Sequence, residues 1–419
     1  MWLISSDHEI ISTVREQLGK TPPTRLGVAV SGGGDSVALL HILSRCFNSH
    51  EVQLHAVTVD HGLRAGSAQE AHSVAQMAAS LGIAHSVLRW ENWDGSGNLQ
   101  DQARRARYRL LGAWAAKNDI TTLLLGHTAN DQAETVLMRL GRTAGVDGLA
   151  AIPVRRLVDG VTVVRPLMGL TRVQLRDYLT RQGIEWVDDP SNEDTRFDRI
   201  KARKLLDLLE PLGVTADGLA HTAENMASAR DALDWYCFLA AREVTCVDGG
   251  NVVLDLRKFR TLPDETARRL LVRAVTWVAS LDYPPRRGAT MGALNALRQG
   301  EPATLGGCHA FHVGGAIWLC REYNAVRASR CDVGQVWDQR WRIIGSVAPE
   351  IEVRALGREG LAQCPNWRDT QRPAAALTGT PSLWHDGALI SAPIAGFSAG
   401  YCAEMVDGGD GFYSSILSH

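Results

Sequence analysis

Ser31-Gly32-Gly33-Gly34-Asp35-Ser36 decides how this chain reads. The sextet follows the short apolar run Leu26 to Val30, a strand pattern, and opens the apolar-rich segment Ser36 to Cys46, a helix pattern. A strand, a glycine turn and a helix start make an anion cradle. Glycines let the backbone approach a phosphate closely and adopt φ > 0. The free N–H groups of the helix N-terminus, and its dipole, favour negative charge. Ser31 and Ser36 add hydroxyl donors. Asp35 repels a bare phosphate, so it is expected to act through Mg2+ or water. Two other phosphate motifs are excluded. Gly19-Lys20-Thr21 ends like a Walker loop, but Val14 stands at its first glycine position and the segment precedes a strand; Val37 stands where a dinucleotide fingerprint needs its last glycine. A bare glycine triplet is more often a tight strand-to-helix connection. Ser-Gly-Gly-x-Asp-Ser in this context reads as an ATP site.

Outward from the sextet, strand and helix patterns alternate. Val52 to Val59, Ala84 to Leu88 and Thr121 to Leu125 read as strands; Gly66 to Leu81, Leu99 to Lys117 and Ala129 to Leu140 read as helices. A strand from Val161 leads to Arg165-Pro166, a helix runs from Thr171 to about Gln182, and Ile184 to Val187 reads as a short strand. The expected fold is α/β, with a doubly wound, mostly parallel sheet of Rossmann-like type, whose ligand edge holds the loops after the strands. Residues 1–212 form this catalytic domain, 213–328 a mainly helical domain, and 329–419 a small α+β C-terminal domain. The Gly-rich tail from Asp407 onward is expected to fray.

Bulk composition bounds the function. With 45% hydrophobic and 21% charged residues, the 419-residue chain reads as an ordinary soluble globular protein. A net charge of −2 announces no polyanion partner, so such a site must come from local clusters. Arg104, Arg105, Arg107 and Arg109 form one; Arg196, Arg199, Lys201, Arg203 and Lys204 form another. Either cluster also fits a solvated helix face. The eight cysteines form no C-x-x-C pair, so reduced thiols and a cytoplasmic location are expected. Neither a signal peptide nor a membrane span is expected.

The sextet resembles the PP-loop of the N-type ATP pyrophosphatases, a superfamily that cleaves ATP between its α- and β-phosphates and attaches AMP to a substrate oxygen. Four later segments narrow the resemblance. They are Val59-Asp60-His61-Gly62-Leu63-Arg64; Asn98-Leu99-Gln100 with Arg104 and Arg107-Tyr108; Gly126-His127-Thr128-Ala129-Asn130-Asp131-Gln132-Ala133-Glu134-Thr135; and Asp189-Pro190-Ser191-Asn192 before Arg196, Arg199 and Arg203. In this order they resemble the tRNA(Ile)-lysidine synthases over roughly residues 25 to 210. A weaker likeness continues through Thr304 to Cys308 and Arg321-Glu322. Asn130 stands where the family often has a second Asp, and Gly141 to Gly145 departs from its usual Arg-Gly segment.

The resemblance implies that ATP adenylates the C2 position of the wobble cytidine in a CAU-anticodon tRNA(Ile), and that the ε-amine of free L-lysine displaces AMP. ATP binding is then expected at Ser31, Gly32, Gly33, Gly34, Asp35, Ser36, Asp60 and Arg107, with Asp35 a candidate Mg2+ ligand. Lysine recognition falls on Asp131 and Glu134, with His127 beside them. At spacing i, i+3 near a helix start the two acids can share one side of a cleft, although acids there also serve as caps and dipole partners. Arg107 resembles the family's arginine at the nucleotide phosphates, where a guanidinium fork stabilises the departing pyrophosphate. Asp35, Arg107 and Asp131 are the expected catalytic residues, Asp131 as one candidate proton acceptor. Arg64, Arg104, Arg199 and Arg203 are expected at tRNA, and a homodimer is left open.

The nearest rival, a tRNA thiolase of the same fold, needs a reactive cysteine or a Cys-held cluster; before residue 212 the chain has only Cys46. GMP or NAD synthetases should show other domain partners. A tRNA-binding module without catalysis is opposed by the intact loop and acid pair.

Overall fold

The computed structural model describes residues 7–48, 50–62, 67–90, 99–187, 198–346, 350–406 and 408–417. The chain divides into two compact units, Met1–Arg230 and Asp231–Ser418.

The first unit runs α1 (Asp7–Leu18), β1 (Arg25–Ala29), α2 (Gly34–Cys46), β2 (Gln53–Asp60), α3 (Ser67–Ser80), β3 (Ala84–Arg89), α4 (Leu99–Lys117), β4 (Thr122–Leu125), α5 (Ala129–Leu140), α6 (Val146–Leu149), β5 (Arg155–Val158), β6 (Val161–Val164), α7 (Arg172–Arg181) and α8 (Asp198–Leu209). The strands form one sheet in the order β3-β2-β1-β4-β6-β5. Every pairing is parallel except the β5–β6 hairpin. The strand period of two sorts the core. Leu26, Val28, Ala56, Leu124 and Val164 face a layer built by α1, α2, α3 and α7; Val57, Leu123, Leu125 and Val163 face α4. Leu39, Leu40, Ile42 and Leu43 of α2 are fully buried, worth about 1.5–3 kcal/mol each. Gly27 lets α4 seat on β1: a Cβ there would meet Trp114 and Leu123 side-chain atoms at 3.0 Å.

β1, β2 and β3 grow to one side of the sheet, whereas β4 and β6 lie on the other side of β1. The order therefore switches between β1 and β4, and the loops leaving their carboxyl ends, at Ser31 and at Gly126, flank the crevice where such sheets bind ligands.

The expected α/β sheet is present, with four differences in detail. Helices α1 and α6 and the edge strand β5 were not expected. Ile184 to Val187 is no strand; instead Val187 donates its N–H to the Gly32 carbonyl at 3.1 Å, strapping the glycine loop.

The second unit holds an antiparallel sheet, β7 (Thr245–Asp248), β8 (Asn251–Asp255), β11 (Ala316–Arg321), β10 (Cys308–Val313) and β9 (Ala303–Leu305) in spatial order. It shares one core with Cys237, Ala241 and Val244 of α9 (Ala216–Val244) and with α11 (Asp264–Ala279) and α12 (Arg287–Gln299), which follow the short α10 (Leu256–Thr261). Two smaller antiparallel sheets follow from Arg330 onward. The tail does not fray as a whole: Gly411–Leu417 is a helix whose Phe412 and Ile416 are fully buried in the α11 core.

Candidate active site

The sextet closes on itself. Gly32 has φ +88°, a left-handed conformation that suits glycine. The Ser31 N–H donates to Ser36 Oγ at 3.1 Å, and that hydroxyl donates to the Gly33 carbonyl at 2.9 Å. Gly33 caps α2 with extended geometry and no side-chain bond, so no side chain competes for the first N–H groups of the helix. Gly126 permits a close crossing: a Cβ there would lie 3.1 Å from the Asp35 backbone. The loops after β1 and β4 thereby border one cavity of about 580 Å³. That size suits a small-molecule site.

Most of the expected residues line this cavity, including Ser31, Asp35, Asp60, Arg107, His127, Asp131, Arg199 and Arg203. Asp60 ends β2 and accepts from the Gly62 N–H at 2.9 Å; that bond, with the Ser67 hydroxyl, holds its carboxyl below the usual range. His61 lies edge-on to Trp90, and burial pulls its pKa down. Arg107, half-buried, sits 5.4 Å from the Tyr108 ring centroid, and burial lowers its pKa as well. His127 is pushed down to about 3, mainly by burial, and is therefore neutral near pH 7. Arg107 Nε, His61 Nδ1 and His127 Nδ1 have no hydrogen-bond partner among the described residues. Three unsatisfied buried polar atoms around one cavity are costly unless a ligand meets them. Arg104 is exposed, its guanidinium 5.7 Å from the Tyr108 ring centroid, and it lies outside the cavity lining. Arg64 and the segment Asp189 to Asn192 lie outside the described residues.

The acid pair does two jobs. Asp131 Oδ2 accepts from the Thr128 N–H at 2.9 Å and from the Thr128 hydroxyl at 3.1 Å, capping α5. Its Oδ1 accepts from Arg172 Nη2 at 2.8 Å. Glu134, only 1% exposed, accepts at Oε1 from Arg172 Nη1 at 2.6 Å and from Arg203 Nε at 3.0 Å. Arg199 approaches both acids at 3.8–3.9 Å. Arg172 Nε also reaches Asp35 Oδ2 at 3.2 Å. Burial alone would raise both aspartates. It prevails at Asp35, whose carboxyl stays above the usual range; at Asp131 the charges of Arg172 and Arg199, with the Thr128 N–H bond, prevail and hold it below. Asn130 uses its Oδ1 to accept the Arg172 N–H at 2.8 Å, so it anchors the start of α7.

Arg172 is the residue that sequence reasoning missed. It occurs in no motif, yet it joins the glycine loop to the acid pair. One signal existed. Thr171 and Gln174 form a capping box, which puts Arg172 at the first position of α7, where a cation opposes the helix dipole. A base in that position calls for acids brought by the fold.

A PP-loop domain family matches residues 6–209. The chain is 55% identical, over 100% of both sequences, to a protein named tRNA(Ile)-lysidine synthase from Ruegeria pomeroyi. Proteins of the same name from Wolbachia pipientis wMel and Bradyrhizobium diazoefficiens are 36% and 38% identical, covering 79% and 67% of this chain and 80% of each relative. The chain therefore belongs to the tRNA(Ile)-lysidine synthase family, with an ATP-using PP-loop domain at its N-terminal end.

Proposed function

We propose that the protein ligates free L-lysine to C2 of the wobble cytidine in a CAU-anticodon tRNA(Ile), consuming ATP and giving lysidine, AMP and pyrophosphate. The observation that carries this reading is one cavity bordered by both an ATP loop, Ser31 to Ser36, and an acidic cation pocket, Asp131 with Glu134 behind it. The cytidine O2 attacks the α-phosphorus and pyrophosphate leaves. The lysine ε-ammonium gives up one proton, the free amine adds at C2, AMP departs with the oxygen, and the nitrogen loses a second proton. Loop N–H groups and Arg107 hold the phosphates, Asp60 the nucleoside end, and Asp131 and Glu134 the lysine ammonium. His127, neutral and open at Nδ1, is suited to orient substrate or take a proton. Arg64, Arg104, Arg199 and Arg203 supply charge for tRNA phosphates.

No cluster of three or more His, Cys, Asp or Glu side chains fit for a metal occurs among the described residues. That suits Mg2+ held by one carboxylate and the substrate phosphates. Asp35 is the carboxylate at the loop, and the metal would neutralise phosphate charge there. In the same reading residues 1–212 are the catalytic domain, 213–328 a tRNA-binding domain and 329–419 a small C-terminal domain, in a cytoplasmic protein that can pair as a homodimer. No helix among the described residues is long and apolar enough to cross a membrane.

A thiolase reading gains no support. Cys46 is buried and its thiol is pushed up to about 11 by that burial, which withholds the thiolate. The test is labelled lysine with ATP, Mg2+ and total tRNA. Label should enter an isoleucine tRNA only when ATP is present; pyrophosphate release with no lysine in tRNA would overturn the reading.

A further inference from the structure

The pocket assigned to the lysine ammonium already holds a cation. Arg172 places one guanidinium arm on each of three acids: Nη1 on Glu134, Nη2 on Asp131 and Nε on Asp35. Its side chain is 17% exposed. The acids have little left to offer a second cation. Asp131 Oδ2 is spent on Thr128, and Glu134 Oε1 is shared with Arg203; Glu134 Oε2 accepts no hydrogen bond among the described residues, but it is buried, with Arg199 Nε 3.8 Å away. Glu134 does not line the cavity, whereas Arg172 does. An ammonium has three donors and no acceptor. It cannot gain its partners on Asp131 and Glu134 while Arg172 keeps them, and a buried charge left unpaired is costly. The same guanidinium touches Asp35 of the ATP loop, so occupancy of the amine pocket is linked to the nucleotide site by one side chain.

We propose that Arg172 is the resident occupant of the amine pocket, and that the substrate ammonium binds by exchanging with it on Asp131 and Glu134. This inference rests on the proposed function for the identity of the incoming amine. Arg172 is thus a specificity-determining residue. A side chain without a cation cannot compensate the acids that Arg172 would abandon, so it leaves the pocket closed. A cationic side chain replaces one set of charge-assisted bonds with another.

The test compares the full-length wild type with Arg172→Gln and Arg172→Lys in two measurements. In the first, made without ATP or tRNA, melting temperature is followed with lysine or with norleucine, which has the same skeleton but no ε-amine. Lysine should stabilise Arg172→Gln more than it stabilises the wild type, and norleucine should stabilise neither. In the second, the lysine KM of the complete reaction should fall by about tenfold in Arg172→Gln, with kcat moving independently. Arg172→Lys cannot span three acids and should show a smaller fall, so it carries the test if the glutamine variant does not fold. A purely structural ion pair predicts the reverse: destabilised variants with unchanged or higher lysine KM and no selective rescue. That result overturns the inference. The proposed function fails separately, if the wild type puts no lysine into tRNA, and the first measurement is independent of that outcome.

Discussion

Glu134 is the most enclosed charge in the first unit's site, 1% exposed and surrounded by Arg172, Arg199 and Arg203. Its place behind the cavity lining, paired with Arg172 and Arg203, suits the amine role proposed for it. Glu134→Gln keeps the shape and removes the charge. It should lower lysine incorporation by about tenfold or more, while tRNA-dependent pyrophosphate release in the absence of lysine persists; equal losses in both assays would contradict this. His127 gives a pH prediction. Its folded value of about 3 lies below the ordinary 6.5, so the unfolded chain takes up a proton as pH falls through 6.5 and the folded chain does not. Stability is then complete above about pH 6.5 and is lost progressively toward pH 3. His41, His55, His61 and His85, also lowered by burial, add to the slope. Melting temperature measured against pH should fall less steeply in His127→Gln than in the wild type, and parallel curves would refute the assignment. At this scale the sequence exposed Asp35, Arg107, Asp131 and Glu134 because each belongs to a spaced motif. It hid Arg172, whose acid partners lie 38 to 137 positions away and meet it only through the fold.

At the scale of elements, the site depends on how closely two strand-to-helix turns approach. Gly126 is the contact point. Gly126→Ala places a Cβ 3.1 Å from the Asp35 backbone, and backbone yields less easily than a flexible side chain. The turns must separate by a few tenths of an ångström, which misaligns the cradle. We expect ATP-dependent pyrophosphate release to fall about tenfold or more, with a small change in melting temperature; unchanged kinetics would show that the crossing is not critical. Strands β1, β2, β4 and β6 and helices α2 to α5 were legible because their apolar periods are long or bounded by glycine. Helix α1 was legible in principle, with Ile10, Val14 and Leu18 four residues apart and all buried, but its polar surround obscured that stripe. The Ile184 to Val187 run has strand composition and no partner strand; its bond to Gly32 is tertiary and has no local signal. The terminal helix was hidden by a glycine-rich lead, and Phe412 and Ile416, four apart, were its one cue.

For the whole molecule, the strand order explains why one cavity can serve two chemistries. The switch between β1 and β4 brings the ATP loop and the α5 acids to the same sheet edge, although they are far apart in sequence. The second unit, with its own core, was legible as helices and glycine-rich strands, but its β7–β8 hairpin was not separable from the helices around it. The central claim is that adenylation and amine transfer occur in sequence at this single cavity. The direct measurement supplies ATP labelled at the α-phosphate with isoleucine tRNA and no lysine, then adds lysine. The account predicts that label first becomes covalently attached to tRNA and is then released as AMP, with one lysine gained per AMP released. Label appearing on lysine, or AMP released without passing through tRNA, would contradict it.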